Sequence, residues 1–297
     1  MARTGLQRGF TQGILQGVKT GFGMAPMRTG FAGGINDGTA NMDKLQDPTL
    51  LTGVKKPIIF CNADNLTTNT GTVITLTDLI GSGYALTAGI GSTLTPDLVV
   101  KDIFNLRNAL DFNAATNYLT TTPVFNSTGY REISIMMVVK LKALAGQILY
   151  IENDIIPGGI DLQMSNANRN IRSIYYGGEP GNMKNSQYDC FGSQVELEDY
   201  MILTAKYRLA QPGGLGSEQE VYINGTLHKQ LFSSNFEVIT TEMVSGQELI
   251  IGNTTTASGT RSNTIMLGAF LLTNYWLNES EQLRLENYFR DYYGHKF

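Results

Sequence analysis

Histidine and cysteine are nearly missing from this 297-residue chain, which has two of each. His228 and His295 stand far apart, without a companion cluster of Cys, Asp or Glu, and so make no zinc pattern. Cys61 and Cys190 could join, but one pair so distant in sequence is no disulfide framework; two small core or surface residues is the plainer reading. Charge is also scarce, at 16% of residues. Asn, Thr, Ser and Gly are abundant in its place, which excludes a charged disordered chain and suits a β-rich protein with many turns and a polar surface. No run of eighteen apolar residues occurs, and glycines interrupt any apolar stretch near Met1, so neither a membrane-spanning helix nor a secretory signal is expected. No Gly-x-Gly-x-x-Gly follows a strand pattern and no Walker loop is present, which argues against a nucleotide site. Asn-x-Ser/Thr triplets begin at Asn65, Asn126, Asn224, Asn253 and Asn278, as chance provides in such a composition.

What is present first is a glycine ladder. Gly5, Gly9, Gly13, Gly17 and Gly21 recur every four residues, and Leu6, Phe10, Ile14, Val18 and Phe22 follow one step behind. On a helix the glycines form one slowly drifting stripe that permits close backbone approach. Each glycine costs up to ~1 kcal/mol relative to alanine, so such a helix does not stand alone. The alternative is an irregular arm; either needs a partner. Gly5, Gly9, Phe10, Gly13, Ile14, Gly17, Val18, Gly21 and Phe22 are the expected partner-binding positions. Residues 23–57, punctuated by glycine and proline, read as a linker. Residues 1–57 carry seven Lys/Arg against three acids, and the remainder fifteen against twenty-three. A basic arm on an acidic body suggests an acidic protein surface as partner, in preference to nucleic acid.

From residue 58 to 297 the pattern is that of one β domain. Val73 to Thr77, Ala109 to Phe112, Asn117 to Leu119, Gln147 to Glu152, Ile160 to Met164, Ile171 to Tyr176, Leu249 to Gly252 and Ile265 to Leu272 read as strands. Ile133 to Val139 is apolar on both faces and therefore central. Tyr200 to Tyr207 is a second long strand. Asn224–Gly225 between Glu220 and Gln230 signals a two-residue hairpin. One helix closes the chain: Asn278 caps it, Glu281 completes a capping box, Leu285, Tyr288, Phe289 and Tyr292 form its apolar face, and Gly294 stops it. Many short strands with one helix predict a mainly β sandwich of two sheets, with the helix plugging an edge or end.

These residues resemble the concanavalin A-like lectin/glucanase superfamily, and within it the laminin-G-like domains. The resemblance is carried by Thr77–Asp78–Leu79–Ile80–Gly81–Ser82–Gly83, by Leu110–Asp111–Phe112 with Asn117–Tyr118–Leu119, by Ser134 to Lys140, by Val221–Tyr222–Ile223–Asn224–Gly225, by Leu249–Ile250–Ile251–Gly252 and by the closing helix. It implies a jelly-roll β-sandwich with a C-terminal helix, preceded here by the glycine-rich arm. It also implies binding to sugars or proteins, as in appendages of phage and virus particles. The expectation drawn is a virion-associated structural protein (head decoration, fibre or tail), present in many copies and made in the host cytoplasm, with residues 1–57 held by other virion proteins. A carbohydrate-binding module for host glycans is the alternative. Neither nucleic acid nor membrane is an expected direct partner. Some relatives hold calcium with loop acids, but no such ligand set can be placed here, and no other cofactor is implied.

Catalysis finds little support in the chain. Glu196 and Glu198 have the alternate spacing of a carboxylate pair on one strand, yet an alternating polar strand face accounts for them, and the superfamily's hydrolase signature is absent. No catalytic residue and no metal ligand is assigned. Sugar binding needs aromatic faces beside amide and carboxylate groups. Tyr176, Asn185, Tyr188 and Asp189 lie in or beside the polar stretch Gly177 to Gly192, read as a loop, and are the candidate glycan-binding residues. Trp276 is expected to plug the core ahead of the helix.

Overall fold

The computed structural model describes residues 55–69, 73–89, 92, 98–103, 107–114, 116–121, 130–142, 146–152, 159–165, 170–177, 184–189, 199–209, 217–232, 248–252, 254–256, 259–261, 265–294 and 297. Its strands are β1 (Ile59–Asn62), β2 (Leu66–Asn69), β3 (Val73–Thr77), β4 (Ala85–Ala88), β5 (Val99–Ile103), β6 (Arg107–Phe112), β7 (Tyr118–Thr121), β8 (Glu132–Leu141), β9 (Gly146–Glu152), β10 (Gly159–Ser165), β11 (Asn170–Gly177), β12 (Lys184–Asp189), β13 (Tyr200–Arg208), β14 (Glu218–Ile223), β15 (Thr226–Phe232), β16 (Glu248–Gly252), β17 (Thr254–Thr256), β18 (Gly259–Arg261) and β19 (Ile265–Thr273). One α-helix, α1 (Glu279–Tyr293), is found among the described residues.

The strands build a mainly β jelly-roll sandwich. One sheet runs β15-β14-β13-β8-β19-β6-β5, with β1 also on β19; the other runs β12-β11-β10-β9-β16-β7-β4-β3-β2. Strand alternation sends Ile133, Ile135, Met137, Val139 and Leu141 of β8 into the core shared with Leu149, Ile151, Ile160 and Leu162 of the opposite sheet. The other side of β8, with Met136 and Val138, is equally buried. That double burial is why the sequence there is apolar without alternation, and it agrees with the expected central strand.

The helix does not plug an edge or end as expected; it lies on the outer face of the first sheet. Phe60 of β1 meets Tyr288 and Phe289 with ring centroids 6.2 and 6.1 Å apart. The apolar outer positions of β8, β13 and β19 demand such a cover. Both ends of α1 are tied down. At its start Asn278 and Glu281 form the expected capping box, worth about 1 kcal/mol. Before it, Leu277 N–H donates to Ser134 Oγ at 3.0 Å and Trp276 N–H to Glu132 Oε2 at 3.1 Å. At its end Gly294 takes φ 96°, Arg290 donates to the Asn224 carbonyl at 2.8 Å, and the Tyr292 hydroxyl donates to Asp64.

Two motifs of the sequence are structural joints. Asp78 accepts from Phe60 N–H (2.9 Å), Ser82 N–H (2.6 Å) and Ser82 Oγ (2.7 Å), and so fastens the glycine turn after β3 to β1. Asn224 (φ 54°) and Gly225 (φ 84°) make the expected hairpin turn between β14 and β15, both in the left-handed conformation that a two-residue turn requires. Cys61 is buried; burial first, and Asp78 second, push its thiol pKa well up.

Candidate functional site

The expected partner-binding positions Gly5, Gly9, Phe10, Gly13, Ile14, Gly17, Val18, Gly21 and Phe22 lie outside the described residues, as do Glu196, Glu198, Cys190 and His295. His228 is half-buried, and that burial lowers its pKa. Among the described residues no group of three His, Cys, Asp or Glu is placed to hold a metal ion.

The candidate glycan residues fall on one hairpin. The stretch read as a loop is partly strand: β12 pairs antiparallel with β11. Its sequence, Lys-Asn-Ser-Gln-Tyr-Asp, lacks the apolar alternation that announces a strand, because an edge strand has a neighbour on one side alone. The register sets Tyr176 opposite Asn185 and Arg172 opposite Asp189. These four positions share one side of the sheet, the side away from the core; Tyr188 pairs with Ser173, and alternation puts that pair on the core side.

The same register recruits residues that the sequence reading missed. Gln163 of β10 faces Arg172, and Gln147 of β9 faces Gln163. One row along, Ile174 faces Asp161, and Asp161 faces Tyr150. Gln163 and Arg172 are half-buried, whereas Asp161 is 2% exposed. The Gln163 amide donates to Asp161 Oδ2 at 3.3 Å. The buried carboxylate thereby holds the Gln163 amide nitrogen. The polar residues Asp161 and Gln163, alternating with Ile160, Leu162 and Met164, were the available signal.

Across the rest of this face the row is hydroxylic. Thr67, Thr75, Thr87 and Thr120 stand at facing positions of β2, β3, β4 and β7, with Thr75 Oγ1 and Thr87 Oγ1 3.3 Å apart. Glu248 of β16 faces Glu152 of β9. The Tyr118 hydroxyl pKa is raised, first by burial and then by the charge of Glu248.

Trp276 is not a core plug. It is half-buried, with Lys206 Nζ 4.8 Å and the Arg208 guanidinium 4.4 Å from its ring centre; Leu277, fully buried, takes the core place instead. Lys206 is enclosed: its ammonium reaches Glu220 at 2.6 Å and donates to Tyr222 Oη and the Leu277 carbonyl at 3.3 Å each. Burial and the hydrogen bond to Glu220 together raise the Tyr222 pKa strongly. This cluster saturates its own polar groups and anchors the helix.

The fold is that of a concanavalin A-like jelly roll, and comparison with solved structures places it beside known binding domains. The chain is similar to the ligand-binding domain of botulinum neurotoxin serotype D in complex with N-acetylneuraminic acid, at 13% identity and a TM-score of 0.51, over 78% of this chain and 50% of that one. It is similar also to the binding domain of the same serotype, at 14% identity and TM-score 0.51 over the same shares, and to the HCR/D F1240A mutant, at 14% and 0.52, over 82% of this chain and 52% of that one. The chain thus spans about half the length of the structures it matches. No family model and no curated protein matches it in sequence.

These likenesses correct the first functional expectation. They are to toxin binding domains, and none of those compared is a virion component. The reading as a virion-associated decoration, fibre or tail protein is therefore withdrawn. Other virion proteins as partners of residues 1–57, and a virion location after synthesis in host cytoplasm, are withdrawn with it. A basic, glycine-rich sequence does not by itself identify a partner.

Proposed function

We propose that the sandwich is a non-enzymatic carbohydrate-binding module whose site is the outer face of β10, β11 and β12. One observation carries the reading: the hairpin register gathers Tyr176, Asn185 and Asp189 beside Arg172 and Gln163 on one side of the sheet. An aromatic ring, amides, a carboxylate and a guanidinium are the groups such recognition uses. The complex of the similar toxin domain with N-acetylneuraminic acid supports the class of ligand. Within the superfamily, the Asp78 turn, the Asn224–Gly225 hairpin and the closing helix favour the laminin-G-like branch.

A glycan array tests this. The full chain is expected to give discrete signals, which fall about tenfold or more in Tyr176→Ala and Asn185→Ala, a loss of about 1.4 kcal/mol for each factor of ten. Ser186→Ala, one position along on the other side, is expected to keep them. A silent array, or equal loss in all three variants with unchanged thermal transitions, overturns the site.

We further propose that residues 1–57 and 58–297 are separate domains. Ile58 N–H donates to the Leu272 carbonyl at 2.7 Å and the Tyr275 hydroxyl to the Lys55 carbonyl at 2.7 Å, so the sandwich begins with the residues just before β1. A chain starting at Lys55 is expected to keep the thermal midpoint of the full chain within about 2 °C, well under the shift that a 1 kcal/mol loss produces. A drop of 10 °C would show that the first 54 residues complete the fold.

A further inference from the structure

We infer that Trp276, Arg208 and Glu132 form a separate binding site for a neutral sugar residue of an oligosaccharide, on the outer side of the first sheet. It does not depend on the face of β10, β11 and β12. Lys206 and Arg208 are alternate residues of β13 and rise from the same side of it, about 6.6 Å apart along the strand. The Trp276 ring spans both, with Lys206 Nζ 4.8 Å and the Arg208 guanidinium 4.4 Å from its centre. The two cations thus meet the indole from the sheet, and the surface that leaves Trp276 half-buried and not enclosed is its outward one. The ring is placed by its own main chain: Trp276 N–H donates to Glu132 Oε2 at 3.1 Å and Leu277 N–H to Ser134 Oγ at 3.0 Å. Glu132 of β8 faces Arg208, which faces Glu218 of β14. Arg208 Nε donates to Glu132 Oε1 at 2.9 Å and Nη1 to Glu218 Oε2 at 3.0 Å. Every part stands on a strand or on the capped entry to α1, so the groups are arranged before a ligand arrives.

Within this frame hydrogen-bonding capacity is left over. The Trp276 indole N–H and Arg208 Nη2 donate to nothing among the described residues, and neither nitrogen is sealed from solvent. The Arg208 and Glu132 side chains are 34% and 32% exposed. Glu132 accepts one bond at each oxygen, where a carboxylate offers about four lone-pair positions in all. Lys206 beneath is enclosed and takes no part. The charges settle the class of ligand. Lys206 is paired with Glu220, and Arg208 with Glu132 and Glu218. An ionic ligand finds no unmatched charge among these five side chains. A neutral polyol finds an aromatic plane for its C–H face, two N–H donors for hydroxyl oxygens and a carboxylate to accept a hydroxyl hydrogen.

Trp276 is the single tryptophan of the chain, so its emission reports on this site directly. The full chain is titrated with cellohexaose, maltohexaose, mannohexaose and chitohexaose, following that emission and its quenching by acrylamide. At least one probe should give a saturable change with a midpoint of about 0.1–5 mM, as suits an open site, and should lower the quenching constant about twofold or more as the ring is covered. Arg208→Lys keeps the charge and loses the planar fork, so it should weaken that midpoint about fivefold or more. Glu132→Gln, which exchanges the carboxylate for a weaker acceptor, should weaken it several-fold, and it decides the matter if Arg208→Lys does not fold. Asn185→Ala, on the other sheet, should leave the midpoint within about twofold. An emission that no probe changes, a quenching constant unaltered at saturation, or a midpoint indifferent to the Arg208 and Glu132 variants overturns the site. A titration abolished by Asn185→Ala overturns it too and leaves the face of β10, β11 and β12 as the sugar site.

Discussion

Replacing Lys206 by alanine is expected to cost about 3–5 kcal/mol of folding stability, the range measured when one partner of a buried ion pair is removed. The Lys206 and Glu220 side chains are 2% and 10% exposed and sit 2.6 Å apart. They face each other across β13 and β14. Without the ammonium, Glu220 keeps the hydrogen bond from the Tyr222 hydroxyl at 2.9 Å but remains an uncompensated charge beneath the helix entry. The Leu277 carbonyl loses a donor as well. The pair as such is not the source of stability, since two well-packed apolar residues in its place are often neutral or better. Lys206→Met with Glu220→Leu should therefore recover most of the loss, and a double-mutant cycle in urea measures the coupling. Trp276, the single tryptophan of the chain, lies against the Lys206 ammonium, so its fluorescence follows the site directly. A loss below about 1 kcal/mol in the alanine variant would mean that water reaches Glu220 and that the anchor is not closed.

Gly252→Ala should be nearly as damaging, by about 2–5 kcal/mol. Gly252 ends β16 at φ 92°, where a side chain costs about 1–2 kcal/mol against the following carbonyl. An added Cβ would also press on the Phe112 ring, against Cδ1 and, at 2.7 Å, Cε1, and would lie 2.8 Å from the Asn117 carbonyl oxygen. Phe112 is fully buried and Asn117 likewise, so neither yields without moving the core, an overpacking cost of about 1–3 kcal/mol. Urea unfolding of Gly252→Ala, and of the same change combined with Phe112→Leu, separates the two parts. The smaller ring partner should return the steric share and none of the backbone share. An alanine variant as stable as the parent would show that the strand end relaxes freely.

Much of this was legible before the structure. The apolar run from Ile133, the Asn224–Gly225 turn and the Asn278–Glu281 cap announced β8, the β14–β15 hairpin and α1, because each rests on neighbours in sequence. Short strands such as β1, β2, β4 and β5 were not legible: four or five residues without clean alternation carry too little pattern. The candidate site was legible in part. Tyr176, Asn185 and Asp189 were chosen for their chemistry, whereas Gln163, Arg172 and Asp161 joined them through pairing alone. The Lys206–Glu220 contact was invisible for the same reason, as nothing local says that a lysine on an alternating strand will be enclosed by a tryptophan seventy residues later.

By itself the chain determined its class of architecture, its turns and its closing helix, since periodicity and capping are interactions within a few residues and survive in the linear order. Tertiary structure alone decided which side of each strand meets solvent, where the helix lies and which polar groups stand together. Those follow from strand register, and a slip of one residue would exchange every inward side chain for an outward one.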